Sequence, residues 1–300
     1  MPKGASSLRQ KQILTMSFVH LHVHTEYSID AMSSIEKLFA RADKMRMPGL
    51  AITDHGTLAG IPEFLSVAKR FPMVKPIAGC EFFLGKKPFH VILLAKNRTG
   101  YRNLVKLSSL SYSGEAPRRR SISREMLEQY HEGLICTSAC IGGEIPQRVL
   151  AGRPDEAMAA ALWYQRVFGD DFYLEVSLHE SKEPVPLGID DSSAAYRTSN
   201  DALVKKQKES NTAIFLLGAL LGIKVVATND IHFVDKEDGI AHDRLLCIMR
   251  KCRVSDENRR RYSHLEYLKS EQEMLQLFPE HPEVIENTLE ILDKVERYES

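Results

Sequence analysis

Short apolar runs alternate with longer amphipathic segments along most of the chain, as β-strands alternate with α-helices in α/β proteins. The apolar runs are rich in Val, Ile and Phe. They predict seven strands, at residues 18–24, 50–53, 76–84, 89–96, 134–138, 172–178 and 224–228. This alternation is typical of a parallel sheet covered by helices, and we expect an α/β fold.

The segments between the apolar runs predict helices at residues 34–45, 61–70, 101–111, 144–151, 155–168 and 193–221. From residue 236 onward the chain is expected to be mostly helical, with the clearest helices at 271–278 and 282–297. Residues 1–16 carry charged and small polar side chains without the apolar core of a signal peptide. We expect a loose leader at 1–16, the main α/β unit at 17–235 and a mainly helical C-terminal part at 236–300.

The charge balance argues against a general attraction to nucleic acid or membrane. Lys plus Arg and Asp plus Glu number 40 each, so an anionic partner must be bound by a local site. The longest apolar run, 213–226, is interrupted by Gly218, Gly222 and Lys224, and no membrane span is expected. Five scattered cysteines favour free thiols in a reducing compartment, and we expect a cytoplasmic protein.

The sequence HLHVHTEYSID, at residues 20–30, has the highest density of side chains that could bind a metal. His20, His22 and His24 alternate with Leu21 and Val23, so in a regular strand all three imidazoles would project from one side. Such a face is either a polar surface or part of a metal site, and the motif alone does not decide between them.

Other metal-capable residues follow or interrupt the predicted strands. They are Asp54, His55, Glu81, His90, Cys140, His179, Asp230 and His232. Each has an ordinary explanation when taken alone, as a helix cap, a turn residue, a hydrogen-bonded core histidine or a small buried thiol. Because the carboxyl ends of barrel strands converge on one mouth, their joint occurrence favours a metal site there.

These motifs resemble those of the PHP (polymerase and histidinol phosphatase) family. The matching segments are HLHVHTEYS, AITDHG, the isolated Glu81, FHVILLAKNRTGYRNLVKLSS, GLICTSACIGGEIP and ATNDIHF, and the match runs from about residue 18 to about 290. The segments LLAKNRTGYRNLVKLSS and CIGGEIPQ resemble the branch found in bacterial DNA polymerase III alpha subunits. The resemblance implies a distorted seven-stranded (β/α)7 barrel, with the metal site at the C-terminal ends of the strands.

The resemblance also implies a ligand set for two to three divalent metal ions. His22, His24, Glu81 and Asp230 would hold one ion, Glu81 would bridge to a second ion held with His90 and Cys140, and Asp30, His55 and His232 would hold a third. His20, Asp54 and His179 would support these ligands from behind. Imidazole, carboxylate and thiolate together suit zinc, manganese or iron better than magnesium.

The function expected from this ligand set is phosphoester hydrolysis by hydroxide held between two metals, without a further catalytic side chain. We expect a 3′–5′ exonuclease of the proofreading type, acting on the primer 3′ end of DNA. Its DNA backbone contacts are expected from two basic clusters, which comprise Arg118, Arg119 and Arg120 and then Arg259, Arg260 and Arg261. Such clusters are also common in solvated loops.

Two other functions remain open from the sequence. One is a stand-alone phosphatase that acts on a small phosphate monoester. The other is a metal-stabilised docking module that does not catalyse a reaction. The expected partners are the polymerase core of the same parent chain, which these 300 residues lack, and a separate proofreading subunit.

Overall fold

The computed structural model describes residues 18–85, 89–113, 121–181 and 194–298. The strands are β1 Gly49–Ile52, β2 Lys75–Leu84, β3 Phe89–Ala95, β4 Ser121–Ile122, β5 Leu134–Thr137, β6 Phe172–Ser177 and β7 Val225–Thr228. The α-helices are α1 Ile35–Lys44, α2 Ile61–Ala68, α3 Arg98–Ser113, α4 Arg124–Tyr130, α5 Glu144–Leu150, α6 Pro154–Phe168, α7 Ala194–Leu221, α8 Gly239–Arg250, α9 Glu271–Leu277 and α10 Glu283–Lys294. Short 3-10 helices lie at Gly169–Asp171 and Lys236–Asp238.

The sheet is mixed rather than wholly parallel. Its order is β1-β2-β3-β5-β6-β7, with the short β4 paired to β2. Strand β3 is antiparallel to both β2 and β5, whereas the pairs β1–β2, β5–β6 and β6–β7 are parallel. The reversal brings the first residues of β3 to the rim formed by the last residues of β2 and β5.

The histidine-rich segment 18–24 lies between the two edges of this sheet. Its backbone pairs with β1 through the bridge His20↔Leu50 and with the segment after β7 through the bridge Val23↔Ile231. The expected regular strand is therefore wrong, because the chain bends at His22 and the ladder is reduced to isolated bridges. The segment closes the sheet into a distorted barrel.

Two apolar layers hold the barrel together. The inner layer contains residues from around the barrel, including Leu21, Ile77, Ile92 and Val226, and helix α10 contributes Ile291 to it. The outer layer packs the other faces of the strands against the helices. The C-terminal helix is therefore part of the barrel core.

The helices follow the expected amphipathic pattern. In α1 the buried residues Ile35, Leu38, Phe39 and Ala42 recur at the spacing of one helix face. Helix α9 begins with a capping box, in which Ser270 and Glu273 bond each other's backbone N–H groups. Within the described residues, no helix is both long and apolar enough to cross a membrane.

Candidate metal centre

Four side chains present ligand atoms to one point at the barrel mouth. The Nε2 atom of His22 lies 2.8 Å from Glu81 Oε2, 3.2 Å from Asp230 Oδ1 and 3.1 Å from His24 Nε2. His24 Nε2 lies 3.5 Å from the same Glu81 oxygen and 3.3 Å from the same Asp230 oxygen. All four atoms lie within 4.8 Å of one another.

These separations fit a divalent metal ion. Ligand atoms about 2.0–2.2 Å from a tetrahedral centre are separated from each other by roughly 3.3–3.6 Å. Hydrogen bonding alone does not account for the cluster, because the buried Asp230 Oδ1 makes no hydrogen bond within the described residues. The donor set of two imidazoles and two carboxylates suits zinc, manganese or iron.

The fold delivers these four residues from three separate elements. His22 and His24 lie in the segment 18–24 that closes the barrel, Glu81 lies within β2, and Asp230 follows β7. Asp230 has a φ of 45°, which is uncommon for a residue other than glycine. The neighbouring Asn229 fixes this turn, since its side-chain amide donates to the carbonyl oxygens of Leu265 and Tyr267 at 2.8 Å.

A second group of side chains surrounds the other oxygen of Glu81. Glu81 Oε1 lies 3.0 Å from His55 Nδ1 and 2.6 Å from His90 Nδ1. The two carboxylate oxygens of Glu81 therefore face different imidazole pairs, as expected for a bridging ligand. Cys140 is buried and lines the same cavity, and the antiparallel direction of β3 brings His90 to this rim.

A third group lies beside the first. His55 Nε2 is 3.1 Å from Asp30 Oδ1, and ring nitrogens of His24, His55 and His232 lie within 4.8 Å of one another. His24 thus joins two of the groups, although the sequence assigned it to only one. The structure brings all nine expected ligand residues to one mouth, and the two tight sets of ligand atoms found within the described residues include all of them except Asp30, His90 and Cys140.

The histidines in the cluster lower the pKa values of the buried carboxylates, whereas burial alone would raise them. Burial alone would raise the pKa of Glu81, but the neighbouring His90 and His55 hold that pKa well below its usual range. Burial would likewise raise the pKa of Asp230, and His22 and His232 lower it. The site therefore favours ionised carboxylates, which is the form that binds cations.

The pKa values of the histidines in the cluster shift in different directions. Burial would lower the pKa of His22, but Asp230, Glu175 and Glu81 raise it well above normal. For His232, burial prevails and lowers the pKa to about 3, despite the carboxylate of Asp230. A neutral imidazole is the form that coordinates metals.

Glu175 is a supporting residue that was not among those predicted from the sequence. It is buried in β6, and its Oε1 accepts a hydrogen bond from His22 Nδ1 at 2.8 Å. The hydroxyls of Thr228 and Thr137 also donate to this carboxylate. The hydrogen bond between Glu175 and His22 fixes the orientation of the His22 ring and directs its Nε2 atom to the ligand cluster.

Asp54 supports His24 through a turn. Its carboxylate accepts hydrogen bonds from the backbone N–H of Thr25 at 2.7 Å and from the Ser28 hydroxyl at 2.6 Å. Ser28 Oγ lies 3.3 Å from His24 Nδ1 and accepts from the backbone N–H of His55 at 3.2 Å. Asp54 is thus placed to orient two candidate ligands.

His20 and His179 are farther from the ligand atoms. His20 bonds the carbonyl oxygen of Lys269 through Nε2 at 2.8 Å, and the bend at His22 separates its ring from those of His22 and His24. The expectation that all three imidazoles share one side does not hold. His179 lines the cavity and bonds the carbonyl oxygen of Asn229 at 3.0 Å, behind Asp230.

The two basic clusters differ in what the structure says about them. Arg118, Arg119 and Arg120 lie outside the described residues. Arg259 is buried in an ion pair with Asp243, so it cannot contact DNA as the sequence suggested. Arg260 and Arg261 line the cavity that contains the ligand cluster.

The cavity above the cluster has a volume of about 780 Å³. Its floor is formed by the ligand side chains. Its walls include the apolar Phe83 and Ile141, the cationic Lys206 and Arg260, and Tyr262. A cavity of this size accommodates a ligand as large as one nucleotide.

Comparison with known proteins places these residues in context. The family model for the PHP domain matches residues 20–179. DNA polymerase III subunit alpha of Borreliella burgdorferi is 41% identical over 94% of this chain, and that of Chlamydia muridarum is 40% identical over 93%. The chain spans about a quarter of the length of these relatives, since it covers 24% of each.

Solved structures also overlap with this fold in part. An amidohydrolase from Chromobacterium violaceum matches 72% of this chain and 88% of its own, with a TM-score of 0.42 and 14% identity. A two-domain protein from Bacteroides vulgatus, described as containing a predicted PHP-like metal-dependent phosphoesterase, covers 73% of this chain and 53% of its own. Its TM-score is 0.41 and its identity 11%.

Proposed function

Because the chain belongs to the PHP domain family, we propose that its ligand cluster hydrolyses phosphodiester bonds with the aid of divalent metal ions. The observation that carries this proposal is the spacing of the four ligand atoms from His22, His24, Glu81 and Asp230. Such a cluster, buried beneath an open cavity, leaves room for a phosphate above the ligands.

Each part of the cluster has a distinct role in this proposal. A divalent cation supplies Lewis acidity and lowers the pKa of the water that it coordinates. His22, His24 and Asp230 would hold one cation, and Glu81 would share its two oxygens between this cation and a second one near His90 and Cys140. Glu175 and Asp54 keep the histidines in position, and Asp30, His55 and His232 would hold a third ion.

We further propose that the substrate is the 3′ end of DNA and that cleavage runs in the 3′–5′ direction. The relatives are DNA polymerase III alpha subunits, so the chain corresponds to the PHP part of such a protein. A cavity of about 780 Å³ is large enough for a terminal nucleotide. The partners that we propose are a DNA primer, a polymerase core and a separate proofreading subunit.

The test is a nuclease assay on the 300-residue chain with Mn²⁺. The substrates are a 5′-labelled primer with a mismatched 3′ end, annealed to a template, and a small phosphomonoester. We expect stepwise shortening of the primer, with loss of activity in Asp230→Asn despite an unchanged circular dichroism spectrum. Asp155→Asn, on the exposed start of α6, is the matched control and should retain full activity.

Two other outcomes would favour the alternatives. Release of inorganic phosphate from the monoester without shortening of DNA would contradict the exonuclease and indicate a phosphatase. A folded, metal-loaded chain that hydrolyses neither substrate would contradict the enzymatic proposal. It would instead favour a docking module in which the metals stabilise the fold.

A further inference from the structure

Residues 251–263, here called the arginine loop, are fixed to the fold by Arg259. The guanidinium of Arg259 donates to both carboxylate oxygens of Asp243 on α8, at 2.5 and 2.7 Å. Its Nε–H also donates to the carbonyl oxygen of Val254 at 2.9 Å. Both partners of the ion pair are buried, so Arg259 serves to hold the loop at the cavity rim.

Arg261 stabilises the loop from within. Its guanidinium donates to the carbonyl oxygens of Glu257 at 2.7 Å, Asp256 at 3.1 Å and Arg259 at 3.3 Å. These bonds fold the side chain back over its own backbone. The side chain between these two anchors, Arg260, is therefore carried on a loop of defined shape.

Arg260 and Tyr262 face the cavity together. The Cζ atom of Arg260 lies 5.1 Å from the centre of the Tyr262 ring, and both residues line the cavity. The Tyr262 hydroxyl donates a long hydrogen bond to Asp30 Oδ2 at 3.4 Å and lies 3.5 Å from His232 Nε2. Among the described residues, no carboxylate lies within ion-pair distance of the exposed Arg260.

We propose that Arg260 and Tyr262 form a phosphate-binding edge for the nucleotide that enters the cavity. The Arg260 guanidinium pairs with a backbone phosphate, and the Tyr262 hydroxyl exchanges its long hydrogen bond to Asp30 for one to an oxygen of the phosphate nearest the Asp30 and His232 group. This inference rests on the proposed action on nucleic acid. It assigns the cationic role in the loop to Arg260 alone, because Arg259 and Arg261 are occupied by structural contacts.

The chemistry of the cavity supports a phosphate at this edge. The floor contains the carboxylates of Asp30, Glu81 and Asp230, so positive charge on the wall reduces the repulsion that a phosphodiester meets as it approaches from solvent. A guanidinium held over an aromatic ring by a cation–π contact has less freedom to lose when it pairs with phosphate oxygens. Tyr262 thereby both orients Arg260 and supplies a hydrogen-bond donor.

The test measures binding of a 5′-labelled 12-nucleotide oligothymidylate by fluorescence anisotropy across a salt series. Phosphorothioate linkages slow its hydrolysis by the metal-loaded chain. We expect Arg260→Ala to raise Kd about 10-fold. The negative slope of log K against log salt should become shallower by about 0.7, the value for one phosphate contact on a single strand. Arg250→Ala, which removes the same charge from the exposed end of α8, should change Kd less than about 2-fold.

Tyr262→Phe tests the hydroxyl separately, since it keeps the ring on which Arg260 stacks. We expect Kd to rise about 3- to 10-fold with little change in the salt slope, as for loss of one hydrogen bond. Equal losses in Arg260→Ala and Arg250→Ala would overturn the proposal in favour of a diffuse positive field. Unchanged binding in Arg260→Ala would also overturn it.

The binding and cleavage measurements separate this inference from the proposed hydrolysis. If Arg260→Ala loses affinity while no metal supports hydrolysis by the wild-type chain, the phosphate-binding edge stands and the hydrolase fails. If Arg260→Ala shortens DNA with the KM and kcat of wild type, the edge fails and the hydrolase stands.

Discussion

Replacing Glu175 by Gln should weaken metal binding without breaking the fold. Glu175 does not reach the ligand cluster itself. It accepts hydrogen bonds from His22 and from the hydroxyls of Thr228 and Thr137. Glutamine keeps the shape of the side chain but removes its charge and replaces one acceptor oxygen by an N–H donor. The Thr137 hydroxyl can accept from this N–H, but the neutral amide oxygen left for His22 accepts a weaker hydrogen bond than a carboxylate does, so the His22 ring is held less firmly.

The size of the effect follows from this geometry. Loss of a partner that orients a metal-bound histidine typically costs 10- to 100-fold in metal affinity, which corresponds to about 1.4–2.8 kcal/mol. Exchanging a hydrogen bond to a charged group for a neutral one costs about 1–1.5 kcal/mol of folding stability. We therefore expect a weaker site in a chain that still folds at room temperature.

The assay is competition for Zn²⁺ between the purified chain and a chromogenic chelator, with a urea titration of the metal-free chain in parallel. Glu144→Gln is the matched control, because Glu144 is also buried but pairs with Arg124 and Arg148. It should lose stability and retain wild-type zinc affinity. If Glu175→Gln binds zinc as tightly as wild type, the role assigned to the Glu175–His22 pair is refuted.

Three further predictions concern the surroundings of the site. Asp54→Asn should lower zinc affinity about 10-fold in the same competition assay, because Ser28 then holds His24 less firmly, and unchanged affinity would contradict this. Burial lowers the pKa of Lys269 from 10.5 to about 7, so between these values the unfolded chain binds a proton that the folded chain does not. Wild-type stability in urea should therefore rise with pH across that window relative to Lys269→Met, by up to about 1.4 kcal/mol per pH unit, and parallel curves would contradict the assignment. Ile291→Ala should cost about 2–5 kcal/mol in the same titration, because its side chain fills the inner layer of the barrel, and a loss below 1 kcal/mol would show that α10 is not part of the core.

Much of the fold could be predicted because the apolar residues recur along the sequence at the spacings typical of strands and helices. Six expected strands overlap regular strands to within two residues at either end, as in β2 and β6. The antiparallel direction of β3 was missed, although the chain offered a signal. Only four residues separate Leu84 from Phe89, and a parallel connection needs a dozen or more.

The candidate ligands could be predicted because metal-capable side chains interrupt apolar runs, and burying them without partners would be costly. Glu175 interrupts an apolar strand just as Glu81 does, so the sequence contained a signal for it as well. Its hydrogen bond with His22 could not be predicted from the sequence, since the two side chains meet only when residues 18–24 close the barrel. The different roles of Arg259 and Arg260 likewise depend on tertiary contacts with Asp243 and Tyr262.

The central claim is that the barrel mouth is a metal site, and elemental analysis of the purified chain tests it most directly. After equilibration with zinc or manganese and removal of free metal, we expect at least one transition-metal ion per chain. His22→Ala should lose most of this metal while remaining folded by circular dichroism. Less than one transition-metal ion per wild-type chain under these metal-replete conditions would contradict the account.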